Sequence, residues 1–175
     1  MFRIMSFILL LGIITSCEGK LGKFEEDVQF TKATNDSVRV LLQQLDTNQV
    51  LKLRGKSKQM LLNFNIELGS DTLDIETARE IDGFIRAYRA TDFFTTEIKQ
   101  LREAQTAQQE RLKKLQSDIE NGSGDRSGYY EHVQFERREV AQIREHSLVL
   151  EKQFMDFKQS YEQFKPTFER FKAVH

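Results

Sequence analysis

The chain of 175 residues contains one cysteine, one proline and no tryptophan. A single cysteine excludes an intramolecular disulfide and a cysteine-rich zinc site. A charge excess of either sign is also absent, because 26 lysines and arginines balance 27 aspartates and glutamates. A dedicated nucleic-acid-binding protein would show a basic face, so nucleic acid is not an expected partner. The scarcity of proline favours helices over a β-sandwich, and the length suits one domain.

The apolar run at the N-terminus is too short to span a membrane. It covers Ile4–Ile14 and is interrupted by Ser6 and Gly12, whereas a membrane-spanning helix needs about 20 apolar residues. With the positive charge of Arg3 before it, the run has the dimensions of the apolar region of a secretory signal peptide.

This run ends in Ile14, Thr15, Ser16 and Cys17. These four residues resemble the lipobox of bacterial lipoproteins, in which an aliphatic residue and two small residues precede the cysteine. The resemblance covers residues 1–17 alone. It implies that residues 1–16 are removed and that acyl chains such as palmitate, carried by Cys17, anchor the mature chain in membrane lipid.

A lipobox also implies a location. The expected place is the envelope of a bacterial cell, with the outer membrane favoured over the inner one, and the periplasmic and surface faces both stay open. Residues 17–34 hold two glycines and many charges. We expect residues 17–34 to consist of the acylated Cys17 and a flexible tether. A helical domain is expected to follow over residues 35–175.

The helical domain is expected to begin with a short helical segment. Asn35, Asp36 and Ser37 are good N-caps, and the spacing predicts a first helix from about Ser37 to Arg54 that ends at Gly55. Residues 56–70 fit either a strand or a helix. Because no second strand is available to pair with it, the helix is favoured.

Two long stretches carry buried-type residues in steps of three and four, which we call the two seams. A glycine-rich turn at residues 121–128 separates them. The first seam comprises Ile81, Ile85, Tyr88, Phe94, Ile98, Leu101, Gln105, Gln108, Leu112, Leu115 and Ile119. The second comprises Val133, Glu136, Val140, Ile143, Ser147, Leu150, Phe154, Phe157, Tyr161, Phe164, Phe168 and Phe171. This periodicity predicts an all-α fold, an elongated antiparallel coiled-coil helical hairpin with arms of roughly 65–70 Å.

Folding the hairpin at the turn predicts which residues meet across it. The first seam departs from regular spacing once, between Tyr88 and Phe94, where the step is six. Aromatic residues are expected to meet aromatic or aliphatic partners far from the turn. The predicted pairs are Leu115 with Val133, Leu101 with Ser147, Phe94 with Phe154, and Ile85 with Phe164.

The second seam ends in aromatic residues that we interpret as core. Pro166 should kink or end the helix there, because it removes one helical hydrogen bond. Phe168 and Phe171 would then lie on a bent end piece and are the candidate partner-contact residues. Four seam positions are polar, and they either fix register or oligomeric state, or are accommodated by a third helix or water. These are Gln105, Gln108, Glu136 and Ser147.

Catalytic and metal-binding patterns are scarce. His132 and Glu136 are four residues apart, which is the one pairing with metal-ligand spacing, while His146 and His175 have no such partner. The chain lacks the motifs of serine hydrolases, zinc proteases and P-loop proteins. We therefore expect no catalytic residue, no metal, no cofactor and no small-molecule substrate.

These patterns predict a non-catalytic scaffold or adaptor of the cell envelope. Its partners would be membrane lipid, through acylated Cys17, and another envelope protein or a second copy of the chain, through helix–helix contacts. The alternative is a periplasmic holdase-like chaperone that grips unfolded clients between the arms of the hairpin.

Overall fold

The computed structural model describes the backbone of residues 2–68 and 74–174, and the side chains of residues 22–64 and 74–170. All regular structure in these ranges is helical. The helices are α1 (Phe2–Gln44), α2 (Thr47–Leu68), α3 (Ile75–Arg89), α4 (Phe94–Asn121) and α5 (Tyr129–Val174), with a short 3-10 helix at Arg126–Gly128. The predicted all-α class and helical hairpin are confirmed, with α4 and α5 as neighbours on either side of the turn.

The chain forms two compact units. Unit 1 combines Met1–Val40 with Glu103–Arg144, and unit 2 combines Leu41–Arg102 with Glu145–His175. Helices α1, α4 and α5 therefore each contribute one part to either unit.

Unit 1 is built from three helical segments. The Asn35 side chain on α1 donates to Gln109 Oε1 on α4 at 2.8 Å, and Lys32 donates to Gln116 Oε1. Because the α1 numbers rise while the α4 numbers fall, α1 runs antiparallel to α4. A cluster of buried residues closes this part of the core, with Phe24 packed against it: Val28, Leu115, Ile119, Tyr129 and Val133.

The predicted turn is confirmed at residues 121–128. Gly122 and Gly124 have φ angles of 60° and 81°, in the left-handed region that favours glycine. The Ser123 N–H donates to the carbonyl of Asp118 at 2.8 Å, which satisfies a carbonyl at the end of α4. The Tyr129 hydroxyl donates to the same Asp118 carbonyl at 2.7 Å, so the first residue of α5 is fastened to the end of α4.

Unit 2 has an aromatic core. Phe84 on α3 stacks on Phe164 on α5, with 4.5 Å between ring centroids, and Phe64 on α2 meets Phe164 edge-on at 5.9 Å. Phe94 and Phe154 are 5.7 Å apart, as predicted for this pair. The non-aromatic apolar residues buried in the same unit are Leu42, Leu45, Val50, Met60, Ile98, Leu101 and Leu150.

The expectation of a tether is wrong for residues 22–34. These residues are helical in α1, and Val28 is fully buried in the unit 1 core. The physical reason is a stripe of buried positions in steps of three and four along α1. The stripe, which is partly hidden in the sequence by two polar members, comprises Val28, Thr31, Asn35, Val38 and Leu42.

The predicted helix Ser37–Arg54 is also wrong at both ends. Ser37 lies inside α1, where its hydroxyl donates to the Ala33 carbonyl. The chain breaks instead at Asp46, whose carboxylate accepts the Asn48 N–H at 2.8 Å and whose carbonyl accepts the Val50 N–H. Asp46 therefore caps α2. Helix α2 continues through Gly55, so the helical interpretation of residues 56–70 is confirmed as far as Leu68.

Helix α3 faces the core with a different residue from the one expected. Phe84 is buried, whereas Ile81 and Ile85 are only half-buried, so Phe164 stacks on Phe84 where we expected Ile85. The irregular step after Tyr88 coincides with the break between α3 and α4. That turn shifts the register, and the seven-residue repeat does not extend across it.

Pro166 does not end α5, which continues to Val174. Of the kink or helix end expected at this proline, the helix end is therefore wrong. On either side of it, Phe164, Thr167 and Phe168 are buried in unit 2, and this packing offsets the single hydrogen bond that proline removes.

Candidate functional site

The sequence-predicted site residues fall in different parts of the chain. The side chains of Ile14, Thr15, Ser16 and Cys17 lie outside the described residues, and so does the Phe171 side chain. The Phe168 side chain is only 8% exposed. Its ring is part of the unit 2 core, so the prediction that it forms a partner contact is wrong.

A buried polar cluster connects α4 and α5 inside unit 1. Gln108 is fully buried and donates from Nε2 to the Glu136 carbonyl at 3.1 Å and to Glu136 Oε2 at 2.6 Å. Arg111 Nε donates to the same carboxylate oxygen at 3.1 Å, and an Arg111 Nη2–H donates to Gln108 Oε1. These three side chains are therefore hydrogen-bonded to one another across the hairpin.

This cluster favours the register interpretation of the polar seam positions. A shift of α4 against α5 would separate Gln108 from Glu136 and leave a buried amide and a buried carboxylate without partners, which is costly. Next to this cluster, α1 makes a separate polar contact with α4, since Asn35 donates to Gln109. Asn35 Oδ1 is buried without a hydrogen-bond partner. The other two polar seam residues, Gln105 and Ser147, are buried as expected.

The spacing of His132 and Glu136 does not produce a metal site. Glu136 is buried and its carboxylate accepts from Gln108 and Arg111, whereas His132 is exposed. His146 is exposed as well. Over the described part of the chain, no group of three histidine, cysteine, aspartate or glutamate residues is arranged to hold a metal ion.

An arginine on α2 is bonded to the turn between α3 and α4 in unit 2. Arg54 donates to the Tyr88 carbonyl at 3.0 Å and pairs with the Asp92 carboxylate at 2.6 Å. Its guanidinium also lies over the Tyr88 ring, 4.5 Å from the centroid. A planar guanidinium group can make these three contacts simultaneously. Arg54 therefore positions α2 against the turn between α3 and α4.

Two exposed aspartates have lowered pKa values because they cap helices. The Thr77 N–H and hydroxyl both donate to Asp74 at the start of α3, and these bonds lower the pKa of its carboxyl. The Ser127 hydroxyl and N–H lower the pKa of Asp125 in the same way. Both caps are strongest with the carboxyl ionised, and they weaken as the pH falls through the lowered pKa.

The described part of α5 in unit 2 has three exposed apolar side chains, Leu148, Val149 and Met155, and the first and last of them lie on its outer face. Leu148 is 42% exposed and Met155 is 57% exposed. They are one heptad apart, on the side of the helix opposite Leu150 and Phe157, which point into the core. Neither Leu148 nor Met155 was among the candidate partner contacts predicted from the sequence, which were Phe168 and Phe171. The spacing of seven between Leu148 and Met155 was the available signal.

None of the helices in the described ranges is long and apolar enough to cross a membrane. The chain matches no protein-family model, and no curated protein or solved structure is significantly similar to it.

Proposed function

We propose that this protein is a lipid-anchored scaffold or adaptor of the bacterial envelope, which binds another protein through the outer face of α5. The observation that carries the proposal is the pair Leu148 and Met155, exposed one heptad apart on a helix whose core face is already filled. Apolar residues at this spacing are the anchors that a partner helix uses. Acylation of Cys17 supplies the membrane attachment.

The packing of the second seam supports this proposal over a holdase-like chaperone. A holdase needs apolar surface that is exposed in the native protein. The aromatic residues of the second seam in unit 2 are buried from Phe154 to Phe168. Leu148 and Met155 are spaced one heptad apart on one helix face, and such spacing fits a specific helix contact better than it fits the capture of many unfolded clients.

The lipid anchor is tested by the Cys17→Ala variant. The native chain is expected to fractionate with membranes and to show the mass of a diacylglyceryl-modified, shortened chain. The variant is expected to leave the membrane fraction or to keep residues 1–16. A Cys17→Ala chain that is still membrane-bound and has the native mature mass would overturn this part of the proposal.

The partner contact is tested by photo-crosslinking in intact cells. A photoreactive amino acid at Met155 is expected to give one discrete adduct, and the variant pair Leu148→Glu and Met155→Glu should abolish stable association with that partner. The matched control is Leu62→Glu on α2, which places the same charge at a residue of 49% exposure. All three substitutions should change the free energy of unfolding by no more than about 0.5 kcal/mol.

The pattern of adducts separates the candidate functions. One stoichiometric envelope protein that is lost in the glutamate pair and kept in the control supports the adaptor. Many unrelated adducts, with binding of a hydrophobic dye to the native protein, would favour the chaperone. Adducts between copies of the chain alone would mean a homo-oligomer.

A further inference from the structure

The start of unit 1 limits how far an anchor on Cys17 can be from the folded protein. Phe24 packs in unit 1, edge-on to Tyr129, with 6.4 Å between ring centroids. Phe24 is only seven positions after Cys17, and an extended chain spans at most about 3.6 Å per residue. Phe24 therefore lies within about 25 Å of Cys17, whatever conformation the chain between them adopts.

Phe24 also marks one particular end of unit 1. Its ring partner, Tyr129, is the first residue of α5 and is bonded to the end of α4 through the Asp118 carbonyl. Because α1 runs antiparallel to α4, the rest of α1 in this unit leads away from the turn. The chain that follows Cys17 therefore enters unit 1 at the end that carries residues 121–128.

We infer that in the acylated protein this turn end of unit 1 lies against the lipid headgroups of the membrane, a conclusion that rests on the proposed acylation of Cys17. The side chains exposed there suit a membrane surface. Tyr130 is 61% exposed and combines an apolar ring with a hydroxyl. Arg126 is exposed close by and has the planar donors that pair with phosphate.

The turn end also carries acidic side chains, and these limit its own affinity for the membrane. Glu120, Asp125 and Glu131 are exposed near the turn, and they oppose attraction to anionic lipid. The affinity then comes from the acyl chains, with about 0.8 kcal/mol for each buried methylene. The turn end orients the protein on the membrane, and without acylation it does not hold the protein there.

The orientation is tested with fluorescent labels in the full-length acylated protein on phosphatidylcholine vesicles. Tyr130→Cys and Arg138→Cys each supply one reactive thiol, because Cys17, the natural cysteine, is acylated. Both positions are exposed on α5, and they are about 12 Å apart along the helix. A lipid with a quencher on its headgroup is expected to quench the label at position 130 about twofold more than the label at position 138.

A matched variant lengthens the connection to the membrane. Twenty glycine and serine residues inserted after Gly22 add a flexible span of about 25 Å. The quenching ratio should then fall to about one, while the protein still floats with the vesicles. Equal quenching in the chain of natural length, with flotation intact, would overturn the inference and leave the anchor standing. Loss of flotation together with an unmodified Cys17 would overturn both.

Discussion

In unit 2 the helices meet through several aromatic ring pairs. In unit 1 they meet through a mostly aliphatic cluster with one aromatic pair, next to a layer of hydrogen-bonded polar side chains. Phe84 and Phe164 stack at 4.5 Å in the first case. In the second, Gln108, Arg111 and Glu136 bond to one another across the hairpin. The same pair of helices, α4 and α5, contributes to both cores.

The difference shows two ways of specifying a helical core. Aromatic rings bury a large area and stabilise strongly, but a ring accepts several neighbours, as the stacking of Phe164 on Phe84 where we expected Ile85 illustrates. Buried hydrogen bonds add less free energy and demand one arrangement, because a displaced partner is left unsatisfied. Unit 2 should therefore respond most to loss of volume, and unit 1 to loss of a hydrogen-bond partner.

The largest effect is expected from Phe84→Ala in unit 2. Phe84 is buried and contacts Phe164, and truncation of a buried phenylalanine costs about 3–5 kcal/mol in the free energy of unfolding. Urea denaturation measures this change. The control is Phe93→Ala, where the side chain is 72% exposed and the expected change is below about 0.5 kcal/mol. Equal effects of the two substitutions would show that Phe84 is not a core residue.

A middle-sized effect is expected from Glu136→Leu in unit 1. The substitution removes the carboxylate that accepts from Gln108 and Arg111, and it leaves the Gln108 amide nitrogen with the backbone carbonyl of residue 136 as its acceptor. The loss of a buried hydrogen-bond partner costs about 1–3 kcal/mol. Glu139→Leu is the matched control. The Glu139 side chain is more exposed than that of Glu136, and its Oε2 lies 3.9 Å from Arg111 Nη2. A surface pair of this kind contributes at most about 1 kcal/mol.

The double variant Gln108→Leu with Glu136→Leu tests whether the polar cluster specifies the register of α4 against α5. An apolar pair of similar volume is expected to recover most of the lost stability, because no buried group is then without a partner. If the polar cluster specifies register, the double variant should gain additional oligomers, which light scattering after size-exclusion chromatography detects. A monodisperse double variant that equals the native chain in mass would show that the cluster has no such role.

The parts of this fold that were predicted from the sequence depend on local patterns. The turn at residues 121–128 follows from its three glycines, and the pair Phe94 and Phe154 follows from counting back from that turn. The burial of the second seam as far as Phe164 follows from its unbroken steps of three and four. Each of these inferences needs only neighbours along one helix or across one hairpin.

The parts that were missed depend on long-range packing. Residues 22–34 look like a tether because they are charged, and Thr31 and Asn35 interrupt their apolar stripe. The helix there is stabilised by Phe24 against Tyr129 and by Asn35 against Gln109, whose partners are distant in the sequence. Burial of Phe168 likewise depends on the surrounding unit 2 core, which its position after Pro166 does not reveal.

The smallest effect compares one helical glycine in each unit. Gly22 in α1 and Gly55 in α2 both lie inside helices, and a Cβ added at either position would meet nothing within 4 Å. Alanine in place of a helical glycine stabilises by about 0.5–1 kcal/mol, so Gly22→Ala and Gly55→Ala should each raise the midpoint of urea denaturation.

Gly22→Ala is the more informative of the two, because residue 22 was expected to lie in a flexible tether. In a tether, alanine would leave the stability of the folded unit unchanged, while in α1 it should stabilise unit 1 as Gly55→Ala stabilises unit 2. Gly124→Ala is the opposing control: its φ of 81° disfavours any residue with a Cβ, so the same substitution there should destabilise. A rise at position 55 with no change at position 22 would show that residue 22 is not part of the folded helix α1 and would restore the tether interpretation at that position.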